Sequence, residues 1–151
     1  MSAHDNANVV LVVEDLEDDA KLLQLLLEQS GILNPVRVVL NCAEAIAYLQ
    51  GAPPFSDRTQ HPLPGVIFLD LKLPGMDGFG FLEWLKSHPE LKSAFIVVIS
   101  GFGDLPSIRR AYALGANTFL VKPCRAPDLE NIIGYYPEYW KRSTPSSSTP
   151  T

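Results

Sequence analysis

The sequence predicts a doubly wound α/β domain built on a five-stranded parallel sheet. Five short apolar runs, rich in β-branched residues, alternate with segments whose apolar residues recur at helical spacing. The runs are apolar throughout, as expected for parallel strands that are covered by helices on both faces. With 151 residues, 46% apolar and 19% charged, the chain is long enough for one domain with a substantial core.

Two strands and two helices are predicted in the first part of the chain. The first helix is expected over 17–29, because leucines recur there at helical spacing, acids crowd the first turn and Gly31 lies just past the end. A second helix is expected over 42–50, with Ala45, Ile46 and Leu49 on one face and Gly51 as its stop. The strands that precede these helices are predicted over 8–13 and 35–40.

The middle of the chain contains a proline-rich loop and the third strand–helix pair. The loop covers 52–65, and loops of that length are often functional or flexible. The third strand runs through the apolar residues 66–69 to Asp70. After a Pro-Gly turn, Asp77 is expected to cap a helix that buries Phe81, Leu82 and Leu85 and ends before Pro89.

Two further strand–helix pairs complete the predicted sheet. A strand over 94–99 ends at Ser100, and the helix after it has Pro106 in its first turn and Ile108, Tyr112 and Ala113 as candidate inward residues. The fifth strand is expected over 117–121, ending at Lys122-Pro123. Residues 128–133 are expected to begin a last helix, which Pro137 interrupts or ends.

Composition limits the domain boundaries and the classes of partner. Residues 1–7 are expected to be loose and residues 143–151, all Ser, Thr or Pro, to form a disordered tail, which leaves 8–142 as the domain. The apolar runs are too short to cross a membrane and the N-terminus has no signal pattern, so we expect a cytoplasmic protein. A formal charge of −5 without a basic cluster argues against nucleic acid. Cys42 and Cys124 lack the spacing of a metal site and are interpreted as plain thiols.

Polar or charged residues end four of the five predicted strands. They are Glu14-Asp15, Asp70, Ser100 and Lys122, and the ends of parallel strands meet at one edge of the sheet. Three carboxylates cannot lie together cheaply without a cation, and an oxygen-rich set without His or thiolate suits Mg²⁺. A carboxylate beside Mg²⁺ and a lysine can accept a phosphoryl group. Asp70 is the candidate acceptor.

These motifs make the sequence similar to the receiver domain of two-component response regulators. The matching features are Glu14-Asp15, Asp70 in Asp-Leu-Lys-Leu-Pro-Gly-Met-Asp-Gly, Ser100 and Lys122-Pro123, with spacings of 30 and 22 residues between the last three positions. The resemblance covers roughly residues 8–134, and its ordered motifs make a chance match very rare. It implies a flavodoxin-like sheet of strand order 2-1-3-4-5 and a stand-alone regulator without an output domain.

The resemblance also implies roles for individual residues. Asp70 would accept phosphate from a phosphohistidine on a sensor histidine kinase or a phosphotransfer protein. Asp15, Asp70 and the backbone carbonyl of Lys72 would bind Mg²⁺, and Glu14 would act through water. Lys122 would contact the phosphoryl oxygens, with a cis bond to Pro123. Ser100 would move to bond the phosphoryl group and Phe119 would turn inward behind it, and these two residues would form the switch.

Several positions depart from the common family pattern. Glu14 replaces the more frequent Asp, and Phe119 replaces the more frequent Tyr, so the switch lacks a hydroxyl group. Lys72 and Phe102 occupy two positions that influence dephosphorylation in this family. Because neither side chain orients an attacking water well, we predict slow hydrolysis of the phosphoryl group. The sequence Asp-Leu-Lys at 70–72 lacks the second Asp of the haloacid-dehalogenase-type phosphatases, which use an Asp nucleophile, so we expect no enzymatic turnover.

The mode of signalling leaves alternatives open. The leading hypothesis is a phosphorylation-driven change of the face formed by the fourth helix, fifth strand and fifth helix. A phosphate shuttle or sink in a relay, or a constitutive interaction module, are the alternatives. The aromatic residues Tyr135, Tyr136, Tyr139 and Trp140 either cover the last helix and sheet edge or form a homodimer or partner surface. With the acidic start, they resemble the single-domain regulators that partner bacterial phytochromes.

Overall fold

The computed structural model of the chain describes residues 9–143 and confirms the doubly wound α/β architecture. All strand pairs are parallel, in the order β2-β1-β3-β4-β5. The elements are β1 (Val10–Val13), α1 (Glu17–Gln29), β2 (Val36–Val39), α2 (Cys42–Gln50), β3 (Val66–Asp70), α3 (Gly78–Lys86), β4 (Phe95–Ser100), α4 (Leu105–Ala113), β5 (Thr118–Val121) and α5 (Ala126–Tyr135), with short 3₁₀ helices at Pro89–Leu91 and Pro137–Tyr139.

The two faces of the sheet support two separate hydrophobic cores. Side chains alternate along each strand, so Leu11 and Val13 point to one face while Val10 and Val12 point to the other. The first face packs against α2, α3 and the single buried residue of α4, and the second packs against α1 and α5. Because both faces are covered, β1, β3 and β4 are buried along their whole length.

Local signals place the helix ends where the sequence predicts them. The observed bounds of α1 and α2 agree with the predicted ranges. Gly51 ends α2 with a φ of 69°, a conformation that costs glycine little. Asp77 caps α3 by accepting a hydrogen bond from the backbone N–H of Gly80 at 2.9 Å. α5 begins at Ala126, two residues before the predicted start, and ends at Tyr135, before Pro137.

The prediction for the buried face of α4 is wrong at two of three positions. Tyr112 is 45% exposed and Ala113 is exposed, whereas Ile108 is half-buried. Ala111 is the buried residue of this helix. Its small side chain allows α4 to approach the sheet, and Leu105, Ile108 and Tyr112 lie along a line roughly a quarter of a turn away from it.

The proline-rich loop between α2 and β3 is anchored to the end of α2. The Arg58 guanidinium donates hydrogen bonds to the backbone carbonyls of Tyr48, Leu49 and His61 at 2.6–3.0 Å. Tyr48 donates its hydroxyl proton to the carbonyl of Pro62 at 2.9 Å. The bonds to Tyr48 and Leu49 reach carbonyl groups in the last turn of α2, which have no i+4 N–H partner within the helix, so the loop also acts as a cap.

The C-terminal aromatic residues mostly cover the core, as one of the two interpretations predicts. Trp140 is 8% exposed and packs against Phe68, while the rings of Tyr136 and Tyr139 lie 4.5 and 4.9 Å from that of Phe95. Tyr135 is different, being 78% exposed. Beyond Trp140 the chain forms an antiparallel bridge between Arg142 and Ile32, which fastens it beside the end of α1.

The predictions for the two termini fall largely outside the described residues. A loose segment over 1–7 and a disordered tail over 143–151 stay predictions, although Ser143 is described and donates its backbone N–H to the carbonyl of Gly31 at 2.7 Å. Between residues 9 and 143, no helix is both long enough and apolar enough to span a membrane.

Candidate functional site

Strand register brings the predicted site residues together at the carboxyl edge of the sheet. Val13 pairs with Leu69, Asp70 with Ile99, and Ser100 with Val121. The residues that end β1, β3, β4 and β5 are therefore level with one another. The sequence predicts that these strand-end residues meet at one edge, and they are Glu14-Asp15, Asp70, Ser100 and Lys122.

Lys122 is the electrostatic centre of this edge. Its ammonium Nζ lies 2.8 Å from Glu14 Oε1, 2.7 Å from Asp19 Oδ2 and 3.3 Å from Asp70 Oδ2. The Lys122 side chain is 20% exposed, and those of Glu14 and Asp70 are 8% and 4% exposed, so screening by solvent is weak. One ammonium group faces three carboxylates, which leaves the cluster short of positive charge.

Three carboxylates are arranged so that a metal ion could bind between them. One oxygen from each of Glu14, Asp15 and Asp70 lies within 4.8 Å of the others, and Asp15 is the exposed member. An all-oxygen, negatively charged donor set with one open side fits a hard divalent cation, which keeps part of its water shell. The position of the Lys72 carbonyl relative to such an ion stays a prediction.

Burial and charge shift the pKa values of the two groups that end β1 and β5. Burial raises the pKa of Glu14 to about 7, although the hydrogen bond from Lys122 works in the opposite direction. For Lys122, burial lowers the pKa, but the hydrogen bonds to Asp19 and Glu14 outweigh it and the net shift is upward. The lysine is therefore fully charged at neutral pH, whereas the Glu14 carboxyl gains or loses its proton near neutral pH.

The backbone around Asp70 fixes the orientation of its carboxylate. Asp70 Oδ1 accepts a hydrogen bond from the backbone N–H of Lys72 at 3.1 Å, which leaves Oδ2 toward Lys122. Gly78 at the start of α3 lies so close that an added Cβ would stand 2.6 Å from the carbonyl oxygen of Asp70. The Asp-Gly pair thus lets the helix pack directly on the strand that carries Asp70.

Ser100 ends β4, and Phe102 lies in the loop that follows it, next to Lys72. Ser100 is 1% exposed, and its hydroxyl accepts a hydrogen bond from the backbone N–H of Phe102 at 3.1 Å. The Lys72 ammonium lies 4.4 Å from the centre of the Phe102 ring, in cation–π contact. Phe119, on β5, is half-buried against the core that includes α2 and α3.

The two cysteines are buried and do not contribute to the acidic cluster. Burial raises the pKa of the Cys42 thiol and of the Cys124 thiol to about 11. Cys124 lines a cavity of about 280 Å³ between α1 and the sheet, whose polar rim is formed by Lys122 and its carboxylate partners. The prediction that both cysteines are ordinary thiols agrees with this placement, since neither lies beside a described group that would activate it.

Asp19 is the site residue that sequence reasoning did not single out. In the sequence it is one of three acids in the first turn of α1, where the helix dipole is sufficient to explain acidic residues. Asp15 precedes α1, so helical spacing does not relate it to Asp19, and no sequence signal separates Asp19 from Glu17 and Asp18.

Comparisons with known proteins agree with this geometry. The family model of the response regulator receiver domain matches residues 10–134. The response regulator Rcp1 of Synechocystis sp. is 30% identical over 87% of this chain and 88% of its own length. The crystal structure of its Mn²⁺-bound form superposes with a TM-score of 0.72, covering 87% of this chain and 93% of that one.

Two further solved structures are similar over most of their length. The phosphorylated cyanobacterial phytochrome response regulator RcpA is 32% identical, with a TM-score of 0.73, covering 88% of this chain and 93% of that one. The bacteriophytochrome response regulator RtBRR is 32% identical, with a TM-score of 0.75, covering 87% and 77%. With the family model matching most of its residues and the same sheet order, this chain belongs to the response regulator receiver domain family.

Proposed function

We propose that Asp70 accepts a phosphoryl group from a phosphohistidine and that its phosphorylation changes an interaction face of the domain. The observation that carries this proposal is the buried Asp70 carboxylate, which has Lys122 Nζ 3.3 Å from one oxygen and two further acids within reach of a shared cation. A carboxylate held in this way can act as a nucleophile, because the lysine and the cation balance the negative charge of the incoming phosphoryl group.

The chemical step is a transfer between two side chains. Asp70 Oδ2 attacks phosphorus, the bond between phosphorus and the donor's imidazole nitrogen breaks, and the imidazole leaves with its electron pair and takes a proton from water. Lys122 binds an oxygen of the transferred group. Asp15, Asp70, the Lys72 carbonyl and, through water, Glu14 would hold Mg²⁺, which would supply the remaining positive charge.

The switch follows from the loops that surround Asp70. The hydroxyl of Ser100 moves to donate a hydrogen bond to the phosphoryl group, and Phe119 turns inward behind it. The residues that this changes are those of α4, β5 and α5. Four exposed apolar side chains lie on α4, on β5 and in the loop before α4: Phe102, Leu105, Tyr112 and Val121. An exposed apolar face next to the switch supports signalling by contact with a protein.

The partner proposed for the phosphotransfer is a sensor histidine kinase, with a bacteriophytochrome as the first candidate. The support is the similarity to Rcp1, RcpA and RtBRR, two of which are described as phytochrome or bacteriophytochrome response regulators. A cytoplasmic location and a homodimer stay predictions. Autodephosphorylation is proposed to be slow, because the Lys72 side chain lies against the Phe102 ring beside the acceptor and keeps water from it.

The test is transfer of labelled phosphate from candidate kinases to the full chain. We expect label on the wild-type protein and none on Asp70→Asn. Asp77→Asn is the matched control: it removes a charge from the same motif but keeps the helix cap, because Asn caps as well as Asp. Label retained by Asp70→Asn, or a wild-type chain that no kinase labels, would refute the proposal.

A second measurement separates signalling from a shuttle or sink. Beryllium fluoride mimics a phosphoryl group on aspartate, so the treated and untreated chain can be compared for binding to proteins that the treated form retains. A partner that binds both forms equally favours the shuttle, whereas one that needs the treated form favours the switch. The proposal expects the second result.

A further inference from the structure

The contact between Asp19 and Lys122 joins α1 to the end of β5, directly at the acceptor site. At 2.7 Å it is the shortest of the three ion pairs that Lys122 makes. The Asp19 side chain is 37% exposed and that of Lys122 is 20% exposed, so the pair is partly shielded from water. Glu17 and Asp18, the other acids of this helical turn, make no described contact with Lys122.

Asp19 differs from the other two partners of Lys122 in its relation to the cation. Glu14 and Asp70 belong to the group of carboxylates that can share a metal ion, and Asp19 does not. An ion held by Asp70 and, through water, by Glu14 would compete for the oxygens that now face Lys122. Asp19 is then the one described carboxylate on this ammonium that has no place in the metal cluster.

We propose that Asp19 is a positioning residue for Lys122: it holds the ammonium at the carboxyl edge of the sheet when a divalent cation draws Glu14 and Asp70 away. This inference rests on the proposed function, in which Lys122 must meet an incoming phosphoryl oxygen. With Asp19 in place, Lys122 keeps one fixed partner and has a donor free for that oxygen. Without it, the long lysine arm has several conformations to lose before transfer.

The first test measures how fast the full chain is phosphorylated by acetyl phosphate in the presence of Mg²⁺. Asn keeps the shape of Asp19 but not its charge, so we expect Asp19→Asn to slow transfer by about fivefold, the effect of one partly exposed charge contact. Asp18→Asn is the matched control, since it removes the same charge from the same turn, and should match the wild type. Asp19→Glu should recover most of the rate, and Asp19→Ser repeats the loss with a second neutral side chain.

The second test reads Lys122 directly, without any phosphoryl donor. In ¹⁵N NMR spectra of the unphosphorylated chain, we expect the ammonium signal of Lys122 to persist on addition of Mg²⁺ in the wild type and in Asp18→Asn. In Asp19→Asn it should disappear, because a mobile ammonium exchanges its protons with water faster. The backbone signals of the same spectra verify that each variant is folded.

The outcomes separate this inference from the function on which it rests. If the wild type is phosphorylated and Asp19→Asn behaves as Asp18→Asn in both tests, Asp19 has no positioning role and the inference is overturned, while the proposed function stands. A wild-type chain that takes no phosphoryl group overturns the proposed function and, with it, this inference.

Discussion

The contact between Lys72 and Phe102 is expected to lengthen the life of the phosphoryl group. It bridges the loops that follow β3 and β4: the backbone N–H of Lys72 is bonded to Asp70, and that of Phe102 to Ser100. The ammonium lies 4.4 Å from the ring centre, and Phe102 is 52% exposed. A cation–π contact at such an exposed position is worth about 0.5–1 kcal/mol, which corresponds to a change in rate of about two- to fivefold.

The perturbation is a pair of substitutions and their combination. Phe102→Ala removes the ring, and Lys72→Met keeps the length of the arm without its charge. If the contact keeps water from the acyl phosphate, each substitution should speed hydrolysis by about two- to fivefold, and the double variant should be no faster than the faster single one. Leu105→Ala is the control, since it also removes an exposed apolar side chain from this face.

The assay follows the loss of phosphorylated protein on phosphate-affinity gels after the donor has been removed. Single variants that keep the wild-type lifetime would show that the contact does not shield the site. Effects that multiply in the double variant would show that Lys72 and Phe102 act independently, and would contradict the prediction that they act through their contact. A wild-type lifetime as short as that of chemotaxis regulators would contradict the prediction of slow hydrolysis itself.

Three further predictions concern the cation, the thiols and the C-terminal aromatic cover. Because burial raises the pKa of Glu14 to about 7, this carboxyl must lose its proton before the cation binds. Calorimetry should therefore show that Mg²⁺ affinity rises by about tenfold per pH unit below pH 7 and levels off above it, and equal affinity at pH 6 and pH 8 would contradict this. Cys42 and Cys124, with pKa values raised to about 11, should resist a disulfide reagent at pH 8 until the chain is unfolded, and rapid labelling of the folded chain would exclude such burial. The free energy of unfolding should also fall between pH 9 and pH 11, because the thiols of the unfolded chain lose their protons at lower pH than those of the folded chain. Trp140→Ala should cost about 3 kcal/mol in chemical denaturation, whereas Trp140→Phe should cost much less, since the indole N–H is buried without a described partner; a similar loss in both would show that the N–H matters.

The sheet and its edge could be predicted because their signals are local and agree with each other. Apolar runs give the strands, glycine and aspartate mark the helix ends, and a parallel sheet has its strand ends on one side. Asp70 and Lys122 are far apart in the sequence, yet both lie at strand ends, so topology alone brings them together. Which oxygen meets which nitrogen is a matter of side-chain geometry and needs the structure.

The errors arise where one pattern fits two physical causes. In α4 the apolar spacing of Ile108 and Tyr112 predicts a buried stripe, but the helix buries the small Ala111, leaves Ile108 half-buried and exposes Tyr112. Asp19 was hidden by the helix dipole, which already explains an acid in a first turn. Periodicity gives the faces of a helix, and only packing decides which face turns inward.

The sparse packing of α4 and β5 sets the free-energy scale on which this domain can respond. α4 buries one residue, and β5, the last strand in the sheet order, has no fully buried residue, whereas β3 and β4 are buried along their whole length. Segments with few buried contacts open locally at a small fraction of the global unfolding free energy. Amide protons of α4 and β5 should therefore exchange with solvent well before those of β3. A single covalent modification at Asp70 need only outweigh this small free energy of local opening. α4 and β5 can therefore rearrange while the rest of the sheet stays folded.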